Sequence, residues 1–335
     1  MIFPEWLSKG DTIGVTACSA GSDCETDFIR LDNAARQMKS QGFLVKETKD
    51  VRQNAKGRSA SAKERAKELM ELLKDPSVKA VIQANGGDFL GEMLSCIDFE
   101  EVKKYPKWHQ GYSDPTGLLF TLTTNCDLAT VYASNYKDFG MEKWHPSLSE
   151  NLEVLMGQRR EQKSFPLYQA GFVERKTGLE NYREDTPVFW ESRENVTLFG
   201  RLLGGCMDCL LDLVGTRFDR TVKWCEKYKS DGILWYLESF ALSGERLTMG
   251  LWHMKEAGWF EHASGFVFGR PCFYSSDYEI EYREAVESVL GAMGVPIVFE
   301  ADIGHKAPRL TVVNGAKAEI TVKDGRGHIR YQMKE

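Results

Sequence analysis

The sequence predicts an α/β protein, with a first, mainly parallel sheet flanked by helices and a second α+β unit after it. Three observations carry this. At 335 residues the chain exceeds one ordinary core and argues for about two domains. Strand-like and helix-like segments alternate through the first 135 or so residues, the pattern of a parallel sheet covered by helices. A polar, Gly/Pro-punctuated stretch then separates this part from a second set of apolar strands. The resulting division is residues 1–160 for the first domain, 161–185 for a linker and 186–335 for the second domain.

Thr12-Ile13-Gly14-Val15-Thr16-Ala17 opens the first domain as a short apolar run entering a Ser/Gly loop, the form of a buried parallel strand. Phe28, Leu31, Ala35 and Met38 recur at helical spacing until Gly42, which stops the helix. Ser61-Ala62-Lys63-Glu64 fits a capping box, and Ala66, Leu69, Leu72 and Leu73 follow on one face until Asp75-Pro76. Val78 to Ala84 returns as a strand and runs into Asn85-Gly86-Gly87-Asp88. A further strand precedes Ser113, another covers Thr130-Val131-Tyr132, and a helix over Ser147 to Gly157 leaves the domain.

Pro166, Gly171 and Gly178 punctuate the linker. The second domain then offers the apolar strand Gly232 to Leu237, a helix over Gly244 to Glu256, and strands at Gly265 to Phe268 and Pro296 to Phe299. Asn314-Gly315, within the alternating run Leu310 to Val322, predicts a hairpin.

A net charge of −6 disfavours a general nucleic-acid binder or an anionic-membrane binder, both of which usually carry a basic face. No stretch approaches a transmembrane span, and residues 1–20 lack a basic start followed by an apolar signal core, so a cytoplasmic protein is expected. The eight cysteines read as reduced core residues. Cys206 and Cys209 form one C-x-x-C, but no second pair or nearby histidine completes a zinc site, and the pair sits in what reads as a buried helix start. No metal and no organic cofactor is expected.

In Gln110-Gly111-Tyr112-Ser113-Asp114-Pro115-Thr116-Gly117, Pro115 suits the first position of a helix and Asp114 the cap before it. Ser113 then sits on a sharp strand-to-helix turn, where backbone N–H groups can stabilise an oxyanion. A plain helix cap is the competing reading of this motif alone. In open α/β sheets, ligands lie beyond the carboxyl ends of the strands. Those ends present Asn85-Gly86-Gly87, Ser113, Glu238 and Gly304-His305. Serine, glutamate and histidine are the parts of a nucleophilic triad, and glycines allow a substrate oxygen to approach backbone N–H groups closely. Singly, each has a bland alternative: an ion pair for Glu238, a hydrogen-bonded loop position for His305, a turn for the glycines. His109, His145, His253, His262 and His328 lack comparable surroundings.

Taken together, these segments resemble the LD-carboxypeptidases, serine peptidases that trim bacterial cell-wall peptides, and especially the branch containing the microcin self-immunity peptidases. The resemblance runs through Trp6 to Ile13, Asn85 to Asp88, Gly111 to Asp114, Tyr136 to Met141, Gly200 to Gly205, Leu237-Glu238, Phe268 to Pro271 and Ile303 to His305. It implies Ser113 as nucleophile, Glu238 as acid, His305 as base, and the backbone N–H groups of Gly87 and Asp114 as oxyanion donors. Ser113 lies in the first domain and the other two triad residues in the second, so the site is expected at the interdomain cleft.

The chain departs from the cell-wall enzymes in two places. Ala17-Cys18-Ser19-Ala20 stands where they usually show proline-serine-serine, and Asn85 stands where they usually show arginine. Asn85 is closer to the microcin-immunity branch, whose members cleave aminoacyl-nucleotide conjugates. The expected activity is therefore a serine carboxypeptidase acting on a small peptide such as a murein tetrapeptide. An amidase acting on a peptide-nucleotide conjugate is the alternative, and a non-catalytic peptide-binding protein a third reading. Asn85, Arg270 and Lys306 are the candidates for substrate contact, with structural roles competing for the two cations. The sequence leaves a homodimer open.

Overall fold

The computed structural model describes residues 1–333. Its first sheet holds β1 (Thr12–Thr16), β2 (Leu44–Glu47), β3 (Val78–Gln83), β4 (Trp108–Gly111) and β5 (Thr130–Tyr132). The second holds β6 (Glu161–Lys163), β9 (Val196–Cys206), β10 (Ile233–Glu238), β11 (Ala263–Gly269) and β12 (Ile297–Ala301). The short strands β7 (Leu167–Tyr168) and β8 (Thr186–Pro187) pair with each other. At the C-terminal end come β13 (Val312–Asn314), β14 (Lys317–Lys323) and β15 (Arg326–Gln332).

In the first sheet the order is β13-β5-β4-β3-β1-β2, with only β13 antiparallel to its neighbour. All five residues of β1 are buried, as a parallel strand covered on both faces requires. Ala80 and Ile82 of β3 share one core with Leu31, Ala34 and Met38 of the helix Glu25–Ser40. Val78 and Val81 share another with Leu69, Leu72 and Leu73 of the helix Ala62–Lys74. Each such leucine contributes about 1.5–3 kcal/mol of apolar burial. Ser61 caps the second helix as expected, its hydroxyl accepting the Glu64 N–H.

The second sheet runs β12-β11-β10-β9-β14-β15-β6, parallel from β9 to β12 and antiparallel beyond. The two sheets share a packed boundary. Phe120, on the helix Thr116–Cys126 of the first unit, stacks on Trp235 of β10 at 6.4 Å and on Trp259 at 5.1 Å.

The chain also exchanges strands between the sheets. Glu161–Lys163, at the start of the segment expected as a linker, is an edge strand of the second sheet, while Val312–Asn314 closes the edge of the first. This corrects the hairpin expected around Asn314-Gly315. Val312–Asn314 pairs with β5, whereas Lys317–Lys323 pairs with β9 and β15. The Asn314 amide is buried, accepting from the Gly204 N–H at 3.1 Å and the Tyr236 hydroxyl at 2.9 Å, so it anchors a crossing rather than an exposed turn. The hairpin lies one strand later, at Asp324-Gly325, whose φ angles of 50° and 74° are those of a tight two-residue turn. Among the described residues no helix is long and apolar enough to cross a membrane, and all eight cysteines are free.

Candidate active site

Ser113 occupies the turn between β4 and the helix Thr116–Cys126 with φ +69°, a left-handed conformation that costs a non-glycine residue about 1–3 kcal/mol. The surroundings hold it there. Asn135 Oδ1 accepts the Tyr112 N–H at 3.1 Å, the Tyr132 hydroxyl accepts the Ser113 N–H at 3.4 Å, and the Ser113 carbonyl accepts the Thr116 N–H at 2.9 Å. The tightness of the turn explains Gly111. A Cβ there would lie 2.8 Å from Pro115 Cβ and 3.0 Å from Asn135 Oδ1.

The Asp114 side chain does not cap this helix, contrary to the local reading. Its carboxylate accepts from the Ser19 hydroxyl and, at 2.9 Å, from the Leu90 N–H, tying the serine turn to the loop after β3. Burial pushes its carboxyl up, opposed by these two donors. In the same loop Gly86 sits against the Ser113 side chain, since a Cβ on it would fall 3.1 Å from Ser113 Oγ. Gly87 has φ +147°, and a Cβ there would meet Ser19 Oγ at 2.3 Å and the Ala20 backbone nitrogen at 2.9 Å.

The second sheet supplies the partners. Glu238 is the last residue of β10, in register with Cys206 of β9, and His305 follows β12. His305 Nε2 lies 2.9 Å from Ser113 Oγ, and His305 Nδ1 lies 2.9 Å from Glu238 Oε2. Glu238 is fully buried. Burial opposes its charge, yet the facing His305, with donors from His305, Tyr132 and Cys206, holds its carboxyl below the ordinary range. Phe240 packs on the His305 ring at 4.6 Å and Tyr112 meets it edge-on at 5.2 Å. The arrangement places a hydroxyl beside a base, and the base beside a carboxylate that can orient it.

The structure thus brings Ser113, Glu238 and His305 together with the Gly87 loop. Beside His305 lies a cavity of about 90 Å³ bordered by Tyr112, Gln169, Phe172, Arg175 and Tyr182. Asn85 is half-buried at the start of the glycine loop. Arg270 is 1% exposed, donates to Asp302 at 2.8 Å and stacks under Tyr168 at 4.1 Å, surroundings that fit the structural role set against substrate contact, while its Nε and Nη2 have no hydrogen-bond partner among the described residues. Lys306 is half-buried, with its charge near Cys272 and Glu300.

Among the described residues, one cluster has metal-ligating atoms within 4.8 Å of one another: Cys206, Glu238 and His305. The donor set fits a cation poorly. Contact with Cys209, then burial, pushes the Cys206 thiol well above its ordinary value, and Glu238 and His305 already bond each other. Sequence reasoning missed Tyr132, whose hydroxyl donates to Glu238 Oε1 at 2.5 Å, and Ser19, which holds Asp114. Tyr132 ends β5, so the strand-end rule that found the other residues would have found it as well.

The LD-carboxypeptidase N-terminal domain matches residues 13–133 and the LD-carboxypeptidase C-terminal domain matches residues 199–320. A putative carboxypeptidase of Vibrio cholerae is 26% identical over 96% of this chain and 95% of its own length. A probable murein peptide carboxypeptidase of Bacillus subtilis is 26% identical, covering 96% of this chain and 92% of its own. Among solved structures, the microcin C7 self-immunity protein in complex with aspartyl sulfamoyl adenosine shares the fold, with a TM-score of 0.83 at 22% identity over 99% of each chain.

Proposed function

This chain belongs to the LD-carboxypeptidase family and is a carboxypeptidase-type hydrolase; from that premise we propose that it works as a serine peptidase, with Ser113 as nucleophile, His305 as general base and Glu238 as the acid that orients it. The observation that carries this reading is the pair of 2.9 Å contacts made by the two nitrogens of one imidazole, to Ser113 Oγ and to Glu238 Oε2. In the reaction, His305 Nε2 takes the Ser113 proton as Oγ attacks an amide carbonyl. The resulting imidazolium is stabilised across Nδ1 by the Glu238 carboxylate. The tetrahedral oxyanion rests against the Gly87 and Asp114 N–H groups, each worth roughly 3–4 kcal/mol in comparable sites. His305 returns the proton to the leaving amine, and water, activated by the same base, releases the acyl group from Ser113.

The substrate we favour is a small peptide cleaved near its C-terminus, as in murein tetrapeptides. An aminoacyl-nucleotide conjugate is the second candidate, supported by Asn85 at the head of the glycine loop and by the aspartyl sulfamoyl adenosine held by the microcin C7 self-immunity protein. Eight free cysteines fit a cytoplasmic setting. The test is incubation with a murein tetrapeptide and, separately, with an aspartyl sulfamoyl adenosine, followed by mass spectrometry. Release of the terminal amino acid from the first supports the peptidase reading. Cleavage of the second alone moves the assignment to the conjugate. Loss of neither substrate ends both.

A further inference from the structure

Glu238 uses both carboxylate oxygens, and only one of them serves the base. Oε2 faces His305 Nδ1 at 2.9 Å, while Oε1 accepts the Tyr132 hydroxyl at 2.5 Å. The same hydroxyl oxygen accepts the Ser113 backbone N–H at 3.4 Å. A phenol has one proton, and because an N–H approaches from the serine side, that proton points to Glu238. Burial, then the adjacent Glu238 charge, push the phenol well above its ordinary value, so it stays protonated and remains a donor.

The placement matters because the residues come from different sheets. Tyr132 ends β5 of the first sheet, and Glu238 ends β10 of the second. Tyr132 is 1% exposed, and its ring packs on Tyr236 of β10 at 5.6 Å. Its hydroxyl therefore spans the boundary, joining the turn that presents the nucleophile to the carboxylate that orients the base. A carboxylate held at one oxygen can rotate about its own bond; one held at both oxygens is fixed in plane.

We propose that Tyr132 is a positioning residue for the hydrolytic reaction, fixing the plane of the Glu238 carboxylate toward His305 and locking that carboxylate to the Ser113 turn across the sheet boundary. This rests on the Ser113–His305–Glu238 reading above. Tyr132 is 1% exposed and its hydroxyl bonds only Glu238 and the Ser113 backbone N–H among the described residues, so its removal is expected to act on turnover rather than on binding.

Tyr132→Phe deletes one oxygen and keeps the ring packing. It is expected to lower kcat by about tenfold to a hundredfold while KM changes less than about threefold. In the Glu238→Gln background the same change is expected to cost less than about threefold in kcat, because the group it positions is already disabled. Site-specific 3-fluorotyrosine at 132 gives a second variant that packs like the parent and donates more strongly. A change in its kcat of about twofold or more with KM unchanged supports the proposal. A Tyr132→Phe enzyme with parental kcat, an unaltered fluorotyrosine enzyme, or a full independent loss in the Glu238→Gln background overturns it. Ser113→Ala run in parallel separates the two layers. Turnover retained by Ser113→Ala ends the triad reading itself, whereas a dead Ser113→Ala beside a normal Tyr132→Phe ends only the Tyr132 inference.

Discussion

Ser113 and His305 stand 192 residues apart in the chain, yet the serine Oγ lies 2.9 Å from the imidazole Nε2. The serine is presented by the first sheet and the imidazole by the loop after β12 of the second. Their approach therefore depends on the boundary where Phe120 stacks on Trp235 and Trp259. Packing far from the reacting atoms sets the hydrogen bond on which the proposed chemistry turns.

Ser113→Ala should abolish hydrolysis, a loss of at least about a thousandfold in kcat, because it removes the hydroxyl that His305 Nε2 meets at 2.9 Å. The strained backbone at φ +69° is kept by an alanine, so stability should move by less than about 1 kcal/mol. Mass-spectrometric turnover and thermal unfolding check both halves. A folded variant that still hydrolyses substrate would exclude Ser113 as nucleophile.

Gly87→Ala should separate the oxyanion site from the rest. The added Cβ would meet Ser19 Oγ at 2.3 Å and the Ala20 nitrogen at 2.9 Å, at a φ of +147° that side chains rarely adopt. The loop must shift, taking the Gly87 N–H out of line. The expected result is a fall in kcat of about a hundredfold to a thousandfold, with a smaller effect on KM. Retention of kcat in a variant that is measurably destabilised would remove Gly87 from the list of donors.

What could be read from the sequence was decided by how local each interaction is. Strand ends followed by Ser113, Glu238 and His305 were legible because parallel sheets gather chemistry at one edge. The role of the Asp114 side chain was not, because its partners Ser19 and Leu90 are distant in the chain and a cap is the nearest local use for an aspartate before Pro115. Asn314-Gly315 has turn chemistry, but burial of the asparagine amide against Gly204 and Tyr236 overrides it. Arg270 looked available beside the motifs until Asp302 and Tyr168 enclosed it. Tyr132 stands at a strand end like the others, but a tyrosine in an apolar strand reads as core, and it is core as well as donor.

A strong chelator should leave turnover unchanged. The proposed steps use only Ser113, His305, Glu238 and backbone donors. A cation among Cys206, Glu238 and His305 would have to displace the Nδ1–H that His305 donates and take the Glu238 lone pair that accepts it. Activity lost on chelation and restored by adding zinc would reassign the mechanism to metal-assisted hydrolysis.

The last prediction concerns a histidine outside the proposed site. His109, in β4 opposite Val81, is fully buried, and neither ring nitrogen finds a hydrogen-bond partner among the described residues. Burial, helped by the nearby Lys107 charge, lowers it from 6.5 to about 3. In the unfolded chain the same ring titrates near its ordinary value. Between the two values the unfolded state binds the extra proton, so stability is complete above about pH 6.5 and is lost as pH falls toward about 3. The slope approaches about 1.4 kcal/mol per pH unit within that window. Buried carboxyls such as Asp302 and Asp114 are pushed up and act in the opposite sense, which can mask the trend in the parent alone. A comparison with His109→Leu removes them, because they are common to both proteins. Urea unfolding of the pair from pH 7.5 to 4.5 should show the parent losing stability relative to the variant as the pH drops. Parallel curves across that range would mean that His109 is paired or hydrated in the folded protein and does not titrate as a buried neutral ring.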